Sequence, residues 1–120
     1  MGKATGQRNM VEKYIPEKGD IVWLSFDPTR GHEQKGKRPG LVISSKLFNQ
    51  KSGLCYVCPI TNTRKEYVYR IEITEPLVRG FAMVDQLKSV DWKERKPEYI
   101  CSVTKSVLDD VVCFVKTVIE

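Results

Sequence analysis

The chain has 120 residues, 41% of them apolar and 29% charged, the balance of one folded domain rather than two domains or a disordered chain. Its longest apolar runs, Leu54–Cys58 and Val111–Val115, fall far short of the roughly 20 residues a membrane helix needs, and the polar N-terminus has no signal-peptide core, so the expected address is the cytoplasm with no membrane contact. Twenty Lys and Arg against fifteen Asp and Glu give a net charge of +5, which permits an anionic partner without requiring one.

Residues 1–13 are polar and carry no hydrophobic period, the pattern of a flexible tail ahead of a single domain over 14–120. Met10-Val11 is a second candidate start, which makes residues 1–9 an extension, native or added. Gly19-Asp20 is a turn, and Ile21–Phe26 is short and rich in β formers, a strand. Asp27–Pro39 holds two Gly, two Pro and the only histidine, His32. With no large apolar residue it reads as a long hairpin loop, the kind that tends to carry function.

Gly40–Ile43 is the next strand. Ser45 caps a short helix over Lys46–Gln50, with Leu47 and Phe48 expected to pack inward. Leu54–Ile60 is a strand, followed by a polar, basic loop over Thr61–Lys65. Tyr69, Ile71 and Ile73 alternate with polar residues, the period of a half-buried strand. Gly80–Leu87 reads as a strand interrupted by Asp85 and Gln86. Asp91–Pro97 is a charged connection with about one helical turn, and Glu98–Cys101 a last short strand. From Val107 to Ile119 the apolar residues recur at helical spacing, with Ser102 or Thr104 as cap.

Five or six short strands and one C-terminal helix make the fold mainly β, an antiparallel sheet curled into a small barrel. Cys55 and Cys58 form a C-x-x-C, but no second pair follows and His32 is far upstream. On a strand these two side chains point to opposite faces, so no metal site is expected there and no cofactor elsewhere.

The chemistry-bearing residues gather in two loops and one strand. Loop 27–39 offers His32, Glu33, Lys35, Lys37 and Arg38, loop 61–65 offers Thr61, Asn62, Thr63, Arg64 and Lys65, and the strand offers Asp85 and Gln86. No nucleotide-binding glycine motif and no nucleophile elbow is present. Cationic loops beside a curved sheet suit a single-stranded nucleic acid; solvated loop charge is the plain alternative. Trp23 and Trp92 read as core residues rather than base platforms. Asp85 reads equally as a buried structural carboxylate.

Gly19-Asp20-x-x-Trp23, then Asp27-Pro28, Gly31-His32-Glu33-Gln34 and Arg38-Pro39 resemble the N-terminal signature of the MazF/PemK-like (ChpB-type) toxin family. Pro59-Ile60-Thr61, Arg79-Gly80 and Val84-Asp85-Gln86 match later segments, and the likeness spans about residues 10–120. It implies an SH3-like antiparallel barrel of the CcdB/MazF type, working as a homodimer. It also implies a metal-independent endoribonuclease that cuts single-stranded RNA and is held in check by an acidic MazE-like antitoxin.

In this resemblance Arg38 and Thr61 take the catalytic positions. The 2′-OH attacks the adjacent phosphate, which requires a base, an acid and positive charge on the phosphorane. Arg38, with a pKa above about 12, suits charge stabilisation better than proton transfer. Glu33 by charge, and His32 by its reference pKa of about 6.5, are the candidate bases. Part of the family carries an arginine two residues before the aspartate matched by Asp85; Met83 stands there in this chain, which returns the load to Arg38. Lys37, Asn62, Asp85 and Gln86 are the candidate RNA contacts. Two rival readings are a CcdB-like toxin that grips DNA gyrase and a non-catalytic nucleic-acid-binding barrel.

Overall fold

In the computed structural model of the chain, residues 14–26, 36–64 and 69–120 are described. The turn before the first strand holds Gly19, whose φ of 97° lies in the left-handed region where a side chain is strained. Its N–H donates to the Val42 carbonyl at 2.8 Å, and its carbonyl accepts from the Val103 N–H at 2.9 Å. One residue thus ties the start of the sheet to its middle and to its last strand.

Strand β1 (Asp20–Ser25) pairs antiparallel with β2 (Lys37–Val42), and β2 with β3 (Leu54–Thr61). The other edge of β3 is shared. Strand β5 (Arg79–Met83) takes Ile60 and Thr61, while β6 (Lys88–Asp91) takes Leu54–Val57. Strand β4 (Arg70–Thr74) lies outside β5, and β7 (Glu98–Ser102) outside β1. The order β4-β5-β3-β2-β1-β7 is a curled antiparallel sheet, a half-barrel closed on one face by the C-terminal helix.

Strand alternation sends side chains to two cores. Ile21, Leu41, Cys58, Ile60 and Ala82 pack with Val111 of the C-terminal helix. Val22, Leu24, Val42, Cys55 and Val57 pack instead around Trp92. Cys55 and Cys58 therefore diverge, as their spacing requires. Burial pushes both thiols up to about 12, and the charge of nearby Asp85 adds to the effect at Cys58.

Helix α1 (Lys46–Ser52) is capped by Ser45, whose hydroxyl accepts from the Phe48 N–H at 3.2 Å. The expectation that Leu47 and Phe48 turn inward is corrected: they are 63% and 40% exposed. The buried residue of this helix is Asn49. Its amide nitrogen donates to the Pro16 and Ser44 carbonyls, and its side-chain oxygen accepts from the Ser44 hydroxyl. Its backbone carbonyl accepts from Trp92 Nε1 at 2.9 Å. A polar side chain with each group satisfied carries little burial penalty, and it can outrank two apolar neighbours.

Two more boundaries move. β2 begins at Lys37, so Arg38 and Pro39 lie on a strand and not in the loop. The strand expected to reach Leu87 ends at Met83, and Val84–Gln86 form a single 3-10 turn. Here the edge of β3 passes from β5 to β6, and the chain must turn that corner. β6 raises the count to seven strands; with Val90 as its one buried residue, it offers no apolar pattern to read. Helix α2 (Trp92–Arg95) supplies the expected helical turn, and helix α3 (Lys105–Ile119) follows its cap Thr104. Tyr69 meets Phe114 of α3 edge to face at 6.1 Å.

Asp20 explains the polar half of the Gly-Asp pair. It is 8% exposed and accepts from the Tyr14 hydroxyl, from the Glu17 N–H at 3.0 Å and from Ser102 Oγ at 3.2 Å. Burial raises its carboxyl above the ordinary value, against these hydrogen bonds, which lower it. A carboxyl raised in the fold binds its proton more tightly there. The resulting stabilisation is complete below the unfolded pKa and is lost as pH rises through the folded one. Charge on Asp20 therefore costs stability at neutral pH, while its acceptor geometry supplies it. Asp20→Asn, which keeps an acceptor and removes the charge, is expected to melt at or above the wild-type temperature at pH 7. Asp20→Ala leaves the Tyr14 hydroxyl and the Glu17 N–H without their acceptor and is expected to lose about 1–3 kcal/mol. Thermal melts of both variants between pH 4 and 8 check this, and equal losses in the two would refute it.

Candidate functional site

The β2–β3 ladder stops at Gly40↔Pro59, although β2 runs back to Lys37 and β3 on to Thr61. The cause is in the register. Ile43 N–H donates to the Tyr56 carbonyl at 2.9 Å, so hydrogen-bonded pairs recur every second residue: Leu41 with Cys58, then Pro39 with Ile60. Pro39 has no N–H to give. The two strands part there, and a cavity of about 420 Å³ opens between them.

Lys37, Arg38 and Pro39 form one wall of this cleft, and Ile60, Thr61 and Asn62 the other. Trp23 of β1 and Arg79 of β5 complete it. Continued past Gly40↔Pro59, the register sets Arg38 opposite Thr61, so these two share a face of the sheet. Pro39 also restricts Arg38 to extended backbone, which fits its place in β2. Its side chain is exposed at the lip of the cleft.

Thr61 is held from several sides. Its hydroxyl accepts from the Thr63 N–H at 3.2 Å, which leaves its own proton to donate outward. Arg70 Nη1 of β4 donates to the Thr63 carbonyl at 3.1 Å, fixing the turn that follows. Behind Thr61 stands Gly80 of β5, where an added Cβ would lie 2.5 Å from the Thr61 carbonyl oxygen. Only glycine lets β5 come this close.

Lys37, Arg38 and Arg79 put three cations on the cleft, and no carboxylate is among its described lining residues. A site of one sign, partly shielded from water, draws an anion such as a phosphodiester. Of the eight residues assigned a catalytic or RNA-contact role from the sequence, Arg38, Thr61, Lys37 and Asn62 are brought together here. Asp85 and Gln86 are exposed on the 3-10 turn beyond β5, outside the lining of the cleft. The alternative of Asp85 as a buried carboxylate is thereby corrected. His32 and Glu33 lie outside the described residues.

Sequence reasoning missed two members. Trp23, read as core, is half-buried and borders the cleft, because it faces Pro39 at the point where the sheet opens; Trp92 is buried as expected. Arg79 drew notice only as part of a motif. Its position before Gly80, the residue that allows β5 to touch β3, was the available signal.

Residues 17–119 match the family model described as PemK-like, MazF-like toxin of type II toxin–antitoxin system. The chain is 41% identical over 86 residues to the endoribonuclease toxin MazF of Escherichia coli, covering 72% of this chain and 78% of that one. It is similar to the crystal structure of MazF from Deinococcus radiodurans, with a TM-score of 0.80 at 35% identity over 89% of this chain and 98% of the other. A MazE–MazF structure from the same organism gives a TM-score of 0.79 at 33% identity, over 88% and 97%.

Proposed function

The chain belongs to the PemK/MazF-like family of type II toxin–antitoxin toxins, and from that premise we propose how its cleft works as an endoribonuclease site. The chain is the toxin of such a pair, an enzyme that cuts RNA, and its antitoxin partner is a MazE-like protein. The observation that carries the reading is that Arg38 and Thr61, distant in sequence, line opposite walls of one cationic cleft beside Pro39.

A single RNA strand enters with its scissile phosphate between β2 and β3. The neighbouring 2′-oxygen attacks phosphorus and the bond to the 5′-oxygen breaks. The products are a 2′,3′-cyclic phosphate and a 5′-OH. Arg38 binds the non-bridging oxygens most tightly in the phosphorane, where their charge is greatest. Thr61 donates its hydroxyl proton to one of them. Lys37 and Arg79 draw the strand in, and Asn62 offers both a donor and acceptors to a base edge. His32 or Glu33 takes the 2′-OH proton, and a proton returns to the leaving 5′-oxygen. These groups are all side chains, so the reading needs no metal.

The same reading makes residues 14–120 one domain, working in the cytoplasm as a homodimer that meets an acidic antitoxin. No helix among the described residues is long and apolar enough to cross a membrane. Exposed Val118 and Ile119 at the end of α3 are apolar surface that a second protomer would cover.

The test is incubation with a long mixed-sequence RNA in EDTA, with the new ends mapped by sequencing. Cuts confined to one short motif, with 5′-OH termini, are expected. Cutting abolished by EDTA would sink the metal-independent mechanism. No cutting at any salt, by folded protein free of antitoxin, would favour a binding module instead.

A further inference from the structure

Phe81 is an aromatic residue in neither core. It sits on β5, a strand flanked on both sides by β4 and β3, yet it is only half-buried. Its neighbour Ala82 points into the core beneath α3, so Phe81 points to the opposite face. There it stands directly across from Thr61. Arg79, two residues earlier on the same face, reaches the cleft. The Arg64 guanidinium lies over the Phe81 ring, 5.5 Å from its centroid.

An exposed guanidinium on a half-buried ring is a poor device for stability. It is a good one for a nucleobase, because bases stack on both aromatic rings and arginine planes. The surrounding geometry holds this shelf against the cleft. Arg64 follows Thr61 by a short turn, and Arg70 clamps that turn through the Thr63 carbonyl. Arg70 is itself paired with Met83 on the same face of β5.

We propose that Arg64 and Phe81 form a base-binding subsite for the nucleotide next to the scissile phosphate, so that this chain reads its RNA partly by stacking. This rests on the cleft being the site of RNA cleavage. The base of an adjoining nucleotide leaves its own stack and lies on the Arg64–Phe81 shelf, while Arg38 and Arg79 hold the backbone. Stacking of this kind orders the strand on either side of the bond to be cut. It favours bases by their stacking strength rather than by a hydrogen-bond code.

The experiment compares wild type with Phe81→Leu, Phe81→Tyr and Arg64→Gln on the mixed RNA and on one oligonucleotide containing the mapped wild-type site. Phe81→Leu is expected to raise KM roughly tenfold, a larger change than in kcat, and to blur the base preference at one position flanking the cut. Phe81→Tyr restores both. Arg64→Gln weakens binding of a non-cleavable analogue, with 2′-deoxy at the cut, and lowers its salt slope by about 0.7. Unchanged KM and unchanged preference in Phe81→Leu would overturn the subsite while leaving the cleft intact. So would a fall in kcat and melting temperature with the preference preserved, since that marks a structural role. A wild-type protein that cuts no RNA would overturn the cleft reading, and the subsite with it.

Discussion

Arg38→Ala is expected to lower kcat by about 10²–10³-fold while leaving the melting temperature unchanged. The size follows from where the charge develops. In the cyclising reaction the non-bridging oxygens gain charge between ground state and phosphorane, and a donor fixed at that point is worth far more than one in water. Arg38 is fixed by its strand and by the proline that follows it, and its side chain is exposed at the cleft. It buries no apolar surface that the fold would miss. Lys37 and Arg79 line the same cleft and keep the RNA attracted, so KM should move less than kcat. Arg38→Lys retains the charge without the planar fork and is expected to recover only part of the loss. Single-turnover cleavage of a short RNA, beside a thermal melt, checks the prediction. Activity within about threefold of wild type in Arg38→Ala would remove Arg38 from the chemistry.

Much of this site could be read before the fold was known, and the reasons differ by residue. Gly19-Asp20 was legible as a turn because positive φ and side-chain acceptors select those residue types. Arg38 and Thr61 were legible through motif order alone; that both line one cleft follows from β2 and β3 lying side by side, which no local pattern states. Asn49 defeated the pattern outright. Burial of its polar side chain depends on Ser44 just ahead of the helix and on the Pro16 carbonyl arriving from a distant segment. Trp23 misled for a related reason. A large aromatic in a β1 strand is usually core, but the sheet opens beside this one because its partner across the ladder is Pro39. β6 was invisible because a strand held by one edge and one buried valine has no period. Of the shelf residues, Arg64 was legible only as one charge of a basic loop, and Phe81 carries no motif at all. The pair becomes conspicuous only when the register shows which face Phe81 points to.

Gly80→Ala is expected to be damaging out of proportion to the single carbon it adds. The added Cβ would lie 2.5 Å from the Thr61 carbonyl oxygen, 3.2 Å from the Thr61 carbonyl carbon and 3.1 Å from Ile60 Cγ2. The first two are backbone atoms, which cannot swing aside as a side chain end can. The clash is relieved only if β5 and β3 separate. They are joined by two residue pairs, Ile60↔Ala82 and Thr61↔Phe81, so there is little ladder to hold them. Overpacking of this kind costs about 1–3 kcal/mol, and a shift of Thr61 by an ångström would cost on the order of 10²-fold in rate. Gly40 supplies the control. There a Cβ would meet Phe26 Cζ at 2.9 Å, the far end of a ring that can rotate away, so Gly40→Ala should lose less of both. Melting temperature and kcat measured together separate the two parts of the claim. A Gly80→Ala protein that melts early but cuts at the wild-type rate would show that the close approach serves only the fold. Loss of rate beyond the loss of stability would mean that the glycine is there to bring Thr61 to the phosphate.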